Sequence, residues 1–232
     1  MTMTYPPSAP LSFIRQLALF DPTTFPHACH VIGTGATGSW VSTLLARQSV
    51  PELHLYDPDV LQPHNVPCGA CDSASVGRRK VEALQEHLRP FPGTHVTPHA
   101  ERVGATHRFT GVVFLCVHGM DDRRLIWQHA LRFQPSVPLV IEMRVGPLEG
   151  RIYTVDPCDS LHVENWEEHS AYPEGHTESL SCTNRAIAAT IVTVAALAVN
   201  QLTIWHARKA YAHFLSVGLD GIPVIHATRW TV

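Results

Sequence analysis

Three glycines at a fixed spacing separate a strand pattern from a helix pattern early in this chain. Residues 29–32 (Cys-His-Val-Ile) predict a strand, and Gly33, Gly35 and Gly38 follow it in a Gly-x-Gly-x-x-Gly turn. Residues 39–48 then predict a helix. Glycines permit a tight turn and close approach of the backbone, and the N–H groups at a helix N-terminus attract phosphate. The pattern therefore predicts a nucleotide-binding turn that joins a strand to a helix.

The segments after this turn alternate between strand and helix. We predict strands over residues 53–56, 95–98, 111–117, 139–144, 151–155 and 224–228, and helices over residues 76–88, 122–133 and 186–205. The unbroken apolar run 111–117 is typical of a parallel strand that is covered on both faces. The alternation predicts an α/β fold, a Rossmann-like, mostly parallel open sheet with helices on both faces.

The composition indicates one globular domain over residues 1–232. Hydrophobic residues make up 45% of the chain and charged residues 16%, and the net charge of −3 predicts no binding of nucleic acid. We expect residues 1–10 to be flexible, residues 11–20 to form a helix and residues 156–184 to form a long crossover loop.

The apolar run over residues 186–205 is long enough to span a bilayer. Its alanines and threonines, with Asn200 and Gln201, weaken its hydrophobicity, so the run predicts a buried or interface helix and no membrane contact. Six cysteines, and no leader pattern in residues 1–20, predict a cytoplasmic chain with reduced thiols.

The polar residues after the second strand distinguish two possible nucleotides. Asp57 can bind the ribose hydroxyls of either NAD or ATP. Asp59, Asn65 and the Gly77-Arg78-Arg79-Lys80 segment add polar and cationic groups where a triphosphate would lie. An NAD site needs no such cluster, so the residues favour ATP, and an NAD-dependent oxidoreductase is the alternative.

With these residues the chain resembles the ThiF/MoeB family, the ATP-dependent adenylyltransferases related to ubiquitin-activating enzymes. The family pattern combines GxGxxGS, DxD, a following Asn and GxxK. Here these motifs are Gly33 to Ser39, Asp57 to Asp59, Asn65, and Gly77 to Lys80. The resemblance covers about residues 11–210, because it extends to Arg15-Gln16, Arg123 and Ser181-Cys182-Thr183.

The resemblance implies adenylation of the C-terminal carboxylate of a small ubiquitin-like or sulfur-carrier protein, with ATP and Mg²⁺. Asp57 would hold the ribose, and Asn65 and Lys80 would contact the phosphates. Arg15 would be an arginine finger that reaches into the partner's site of a homodimer, whose interface we place on residues 186–201. Cys182 lies where some members carry a thiol that forms a thioester or persulfide.

Two positions depart from the family pattern. Val66, Pro67 and Cys68 follow Asn65 where members usually have Arg-Gln, so Arg78 or Arg79 would have to replace a phosphate-binding arginine. His118 stands where members commonly have an acidic residue that assists Mg²⁺, which leaves Asp121 or Asp122 as the metal ligand. A non-catalytic relative of the family is therefore a second alternative.

The cysteines do not predict the structural zinc site that many family members have. Two Cys-x-x-Cys pairs bind that zinc in the second half of such chains, whereas this chain has one pair, Cys68 and Cys71, in another region. The 16 histidines show no ligand spacing, and we expect them to be scattered over the surface.

Overall fold

The computed structural model describes residues 12–170 and 187–231, and an eight-stranded sheet forms their centre. The sheet order is β3-β2-β1-β4-β5-β6-β7-β8. Strands β1 to β5 pair in parallel, and β6, β7 and β8 continue the sheet in antiparallel pairing. In chain order the strands span Cys29–Ile32, Glu52–Tyr56, His95–His99, Val112–Leu115, Val140–Val145, Glu149–Val155, Phe214–Gly218 and Val224–Thr228. The predicted Rossmann-like α/β fold is confirmed.

Five α-helices flank the sheet in the described part of the chain. They span Ala36–Arg47 (α1), Lys80–Leu88 (α2), Met120–Ile126 (α3), Ser160–Ser170 (α4) and Ala188–His206 (α5). A π-helical turn over Trp127–Leu131 continues α3, and single 3-10 turns lie at Pro22–Thr24, Pro63–Asn65 and Ser73–Ser75. The buried side chains of α1, α2 and α5 share one core, and those of α3 and α4 share a second core. The sheet therefore has helices on both faces, as predicted.

Helix α5 packs against α1 and against strands β5 and β6. By length and composition it could cross a membrane, with a mean hydropathy of 1.6, but half of that apolar stretch is buried inside the protein. Val194, Ala198 and Leu202 face the core. This packing agrees with the predicted buried helix.

The helix predicted for residues 11–20 is not formed by the described residues 12–20. Residues 14–19 are hydrogen-bonded turns, in which the backbone N–H groups of Gln16 and Leu17 both bond to the carbonyl of Phe13. The Gln16 side chain donates to the carbonyl of Gln48 at 3.0 Å. This bond attaches the segment to the C-terminal end of α1, and the segment forms turns there instead of the predicted helix.

The prediction of a loop over residues 156–184 is wrong for residues 160–170, which form α4. Asp159 caps this helix, because its carboxylate accepts from the backbone N–H of Leu161 at 2.9 Å. Val163 and Trp166 are buried from α4 into the second core. Tertiary packing stabilises a helix whose own apolar pattern is weak. Residues 171–184, like residues 1–10, lie outside the described residues.

Parallel pairing collects histidines on one face of β1, β2 and β3, so the expected scatter is wrong for these side chains. His30 lies opposite His54 in the register, and their rings stack 4.8 Å apart. His54 Nδ1 lies 3.1 Å from His99 Nε2, while His54 Nε2 lies 2.9 Å from a Glu52 carboxylate oxygen. Alternate residues of a strand share a face, which is why these histidines meet. Residues 100–111 cover this face without a helix.

We expect the buried His30 to make the fold sensitive to acid. Burial lowers the pKa of His30 to about 4, although its bond to the Thr110 carbonyl opposes that shift. Below pH 6.5 His30 becomes protonated in the unfolded chain, whereas in the folded chain it stays neutral down to about pH 4. The free energy of unfolding therefore falls as the pH is lowered across this range.

Urea unfolding at pH 7 and pH 5 measures this effect. His30→Leu should lose about 2 kcal/mol less stability over that interval than the wild type does. His226→Leu is the matched control, because His226 is exposed on β8. Equal losses in the His30 variant and the wild type would contradict the assignment.

Candidate functional site

Residues 33–35 form the turn between β1 and α1, at the carboxyl ends of the parallel strands, and Gly38 lies in the first turn of α1. Gly33 has a φ of +89°, and a Cβ there would lie 3.0 Å from the backbone of Cys116. A Cβ on Gly38 would collide with the carbonyl oxygen of Gly33. A Cβ on Gly35, in contrast, would meet nothing within 4 Å. Two of the three glycines are thus required by close packing, and the third leaves open space above the turn.

The first turn of α1 presents N–H groups to this open space. Gly35 is the N-cap residue and has no side chain to cap the helix. The first N–H groups of a helix lack partners within it, and the helix dipole favours an anion there. The turn therefore has the geometry of a phosphate-binding site.

Asp57 connects the glycine turn to the segment after β2. Asp57 is 6% exposed, and one of its carboxylate oxygens accepts from the Thr34 N–H at 2.8 Å. The other oxygen accepts from the Asp59 N–H at 2.9 Å. Both bonds hold the carboxylate beside the turn, where its remaining lone pairs can accept from ribose hydroxyls.

Lys80, the first residue of α2, brings a cation to the same place. Its Nζ lies 2.7 Å from Asp59 Oδ2 and 3.7 Å from Asp57 Oδ1. The Lys80 backbone N–H also donates to the Asp59 carbonyl at 3.0 Å. The structure thus brings together four of the predicted elements, namely the glycine turn, Asp57, Asp59 and Lys80.

Ser39 and Asn65 also line the cleft. The Ser39 hydroxyl donates to the Ala36 carbonyl at 2.9 Å and accepts from the Ala70 N–H at 3.0 Å, which ties Ala70 to α1. The Asn65 side-chain oxygen accepts from the Gln62 N–H at 2.9 Å, so its amide nitrogen is the group that can donate to phosphate. The cleft is lined by Thr34, Gly35, Ala36, Ser39, Leu61, Asn65, Gly69, Ala70, Cys71 and Lys80.

The two arginines that precede Lys80 have different surroundings. Arg79 donates to the Pro58 carbonyl at 2.6 Å. Arg78 is exposed and lies near Cys71 of the cleft. Burial raises the pKa of the Cys71 thiol to about 11, and the positive charge of Arg78 opposes that rise. Arg78 therefore lies beside the cleft, whereas Arg79 is held by the Pro58 carbonyl.

Arg15 is not brought to this cleft within one chain. It is exposed, and its neighbour Gln16 contacts Gln48 at the C-terminal end of α1. The phosphate turn lies at the other end of this 12-residue helix, about 18 Å away. Cys182 lies outside the described residues.

The segment after β4 passes beside the phosphate turn, because the Cys116 N–H bonds to the Ile32 carbonyl at 2.8 Å. The exposed His118 follows it. At the start of α3, Asp121 pairs with Arg124 at 3.3 Å, and Asp122 lies 3.5 Å from Arg102. Among residues 12–170 and 187–231, no three His, Cys, Asp or Glu side chains converge on a metal position. One carboxylate would still suffice for Mg²⁺, which is usually held by one or two carboxylates with phosphate oxygens and water.

A buried carboxylate lies behind this segment, and no sequence pattern predicted it. Glu142 is fully buried in β5, and its Oε1 lies 2.7 Å from Arg123 Nη1 and 2.7 Å from Arg144 Nε. Trp166 of α4 donates to the other oxygen, and Arg144 donates to the Ser170 hydroxyl at 2.7 Å. Arg123, one of the residues that carry the family resemblance, thus forms a buried ion pair with Glu142. The available signal was a glutamate inside the apolar run 139–143.

A comparison with protein families matches residues 25–213 to the ThiF family. That range contains the glycine turn, Asp57, Lys80 and Glu142. The chain belongs to the ThiF family. Two curated relatives match shorter stretches of this ThiF-family chain. The tRNA threonylcarbamoyladenosine dehydratase 1 of Saccharomyces cerevisiae is 34% identical over 59 residues, 25% of this chain and 14% of that protein. The uncharacterized protein y4qC of Sinorhizobium fredii is 39% identical over 75 residues, 32% of this chain and 13% of that protein.

Solved structures share the fold of this ThiF-family chain at low sequence identity. The crystal structure of E. coli MccB with ATP has a TM-score of 0.70 and 15% identity, and the match covers 92% of this chain and 65% of that one. The crystal structure of PaaA has a TM-score of 0.68 and 16% identity, with 93% and 66% covered. MccB has also been solved in complex with N-formylated MccA. The chain therefore spans about two thirds of these solved relatives, and at this identity the likeness concerns the fold alone.

Proposed function

We propose that this ThiF-family chain uses ATP to adenylate the C-terminal carboxylate of a small ubiquitin-like or sulfur-carrier protein. One observation carries the proposal. The carboxylate of Asp57 joins the glycine turn to the segment that holds Lys80, so a cation and the uncapped N-terminus of α1 face one cleft. A triphosphate is an anion that both would attract. The ATP bound to MccB supports the choice of nucleotide.

In this proposal a carboxylate oxygen of the carrier attacks the α-phosphorus of ATP, an acyl-adenylate forms and pyrophosphate leaves. Fixed donors and cations stabilise the charge on the phosphates. Lys80 would exchange Asp59 for a phosphate oxygen, while Asp57 keeps its bond to the turn and holds the ribose. Mg²⁺ would neutralise phosphate charge, and Asp121 or Asp122 would be its protein ligand. Cys182 would then take the acyl group as a thioester and release AMP.

Arg78 is the residue that we propose for the role of the missing phosphate-binding arginine. Arg78→Ala should weaken ATP binding about tenfold, because it removes a charge-assisted hydrogen bond to phosphate. Arg79→Ala is the matched control and should change the affinity less than about twofold, since Arg79 is already bonded to Pro58. Titration calorimetry of both variants with ATP measures the difference. Equal affinities for the two variants would reject the assignment of Arg78.

We also propose a homodimer in which Arg15 completes the site of the second copy. The distance between Arg15 and the phosphate turn of its own chain supports action in trans. Ile14, Leu17 and Leu19 beside it are 77%, 48% and 49% exposed, which is typical of an interface. On α5, the exposed Ala189 and Ala196 permit close approach of a second helix.

A mixing experiment tests Arg15 directly. Arg15→Ala and Lys80→Ala subunits should each be inactive alone. When they are mixed in equal amounts, about one site in four should recover, because half of the random dimers hold one intact site. The readout is ATP–pyrophosphate exchange. Full inactivity of a mixture in which two different affinity tags co-purify the two variants as heterodimers would reject action in trans.

ATP–pyrophosphate exchange with a small ubiquitin-like protein as the second substrate tests the proposed function. We expect exchange that depends on the carrier and is lost when its C-terminal residues are removed.

A second candidate function is that of a non-catalytic relative that binds the nucleotide or the carrier. The missing arginine and His118 favour it. That protein would bind ATP or the carrier without exchange. Absence of binding to both ATP and the carrier would contradict both candidates.

A further inference from the structure

The Thr34 hydroxyl is a buried polar group of the glycine turn. Thr34 lies between Gly33 and Gly35 in the turn, and its residue is 4% exposed. Its backbone N–H donates to Asp57 at 2.8 Å, which holds the residue in place. Its hydroxyl oxygen is buried and has no hydrogen-bond partner within the described residues.

A buried hydroxyl without a partner destabilises a protein, because it loses its hydrogen bonds to water and gains none. Valine has nearly the same shape and avoids this loss. Helix α1, which follows the turn, shows that the fold can satisfy such groups. The hydroxyl of Ser39 has both a donor and an acceptor partner, and that of Thr43 donates to the Ser39 carbonyl at 2.9 Å. The unpaired hydroxyl of Thr34 therefore points to a partner outside the described residues.

We propose that the Thr34 hydroxyl donates a hydrogen bond to an oxygen atom of the bound nucleotide. The inference rests on the proposed ATP site, whose cleft Thr34 lines together with Gly35, Ser39 and Lys80. The uncapped N-terminus of α1 starts one residue later. The hydroxyl adds a second neutral side-chain donor to the site, besides the Asn65 amide. Because the backbone of Thr34 is fixed by Asp57, this donor has a set position in the cleft.

Thr34→Val is the first test, because it removes the hydroxyl and preserves the shape. We expect its Kd for ATP to rise about five- to tenfold, while the midpoint of thermal unfolding without ligand stays the same or increases. Thr34→Ala should weaken ATP binding to the same extent, which excludes a clash of the valine methyl group with the ligand. Thr34→Ser keeps the hydroxyl and should bind ATP within about twofold of the wild type.

Thr43→Val is the matched control. It removes a buried hydroxyl of α1 that already has a partner, so it should lower the midpoint of unfolding and leave the Kd for ATP unchanged. Titrations with AMP and adenosine identify the acceptor. A valine effect that persists with adenosine assigns a ribose oxygen, and an effect confined to ATP and AMP assigns a phosphate oxygen.

Two results would overturn the inference, and only the second would also overturn the proposed function. If the wild type binds ATP and Thr34→Val binds it equally well, the Thr34 inference fails and the ATP site stands. If the wild type does not bind ATP at all, the proposed function fails together with the inference.

Discussion

Lys80→Ala should reduce the rate of ATP–pyrophosphate exchange at least about 100-fold. The Lys80 ammonium group lies among Asp57, Asp59 and the phosphate turn, and it is the cation that we assign to the charge on the reacting phosphates. A preorganised donor at such a position contributes this much to transition states. The measurement is the exchange rate at saturating ATP and carrier.

The chain offers a matched control, since Lys80 and Lys209 are its two lysines. Lys209 is exposed beyond the end of α5, so Lys209→Ala should exchange at the wild-type rate. The unfolding midpoint of the Lys80 variant needs to stay near that of the wild type for the comparison to hold. A Lys80→Ala enzyme that retains exchange within a factor of about three would remove Lys80 from the proposed chemistry.

Glu142→Gln should lower the free energy of unfolding by about 3–5 kcal/mol, the largest stability effect that we expect in this fold. The variant leaves the guanidinium groups of Arg123 and Arg144 without the carboxylate that balances them. It also weakens the contacts that join β5, α3 and α4. Glu168→Gln, on the exposed side of α4, is the control and should change stability by less than about 0.5 kcal/mol.

The pH dependence of this variant gives a second check. Burial alone would raise the pKa of Glu142, but Arg123 and Arg144 outweigh burial and hold the pKa below 4.5. The carboxylate therefore stabilises the fold at pH values above 4.5, and this contribution is lost as the pH falls through the lowered pKa. The stability difference between wild type and variant should shrink in acid. A difference that is the same at pH 7 and pH 3 would argue against the ion network.

Local patterns were sufficient to predict most of the sheet. The strand before Gly33 and the apolar run that contains Val112–Leu115 stand out because parallel strands are buried on both faces. Helix α4 was missed because it has few apolar residues, and its packing partners are distant in sequence. The strand Phe214–Gly218 was missed because it is short and is defined by its pairing with β6 and β8. Such elements depend on tertiary contacts that a local pattern does not contain.

The same distinction applies to the candidate site. Gly33, Asp57 and Lys80 could be predicted because a turn and strand end demand specific residue types at specific spacings. Glu142 and the paired histidines could not, because their partners are brought together by sheet pairing. The role proposed for Thr34 could not be predicted from the sequence, because it rests on a hydroxyl that has no hydrogen-bond partner among the described residues.

Calorimetric titration of the purified chain with ATP and, separately, with NADH tests most directly whether the cleft between the glycine turn and Lys80 binds a triphosphate nucleotide. We predict saturable binding of ATP, weakened by Lys80→Ala and unaffected by Lys209→Ala, and no binding of NADH. Binding of NADH without binding of ATP, or an ATP affinity that is the same in Lys80→Ala and the wild type, would contradict the proposed ATP site.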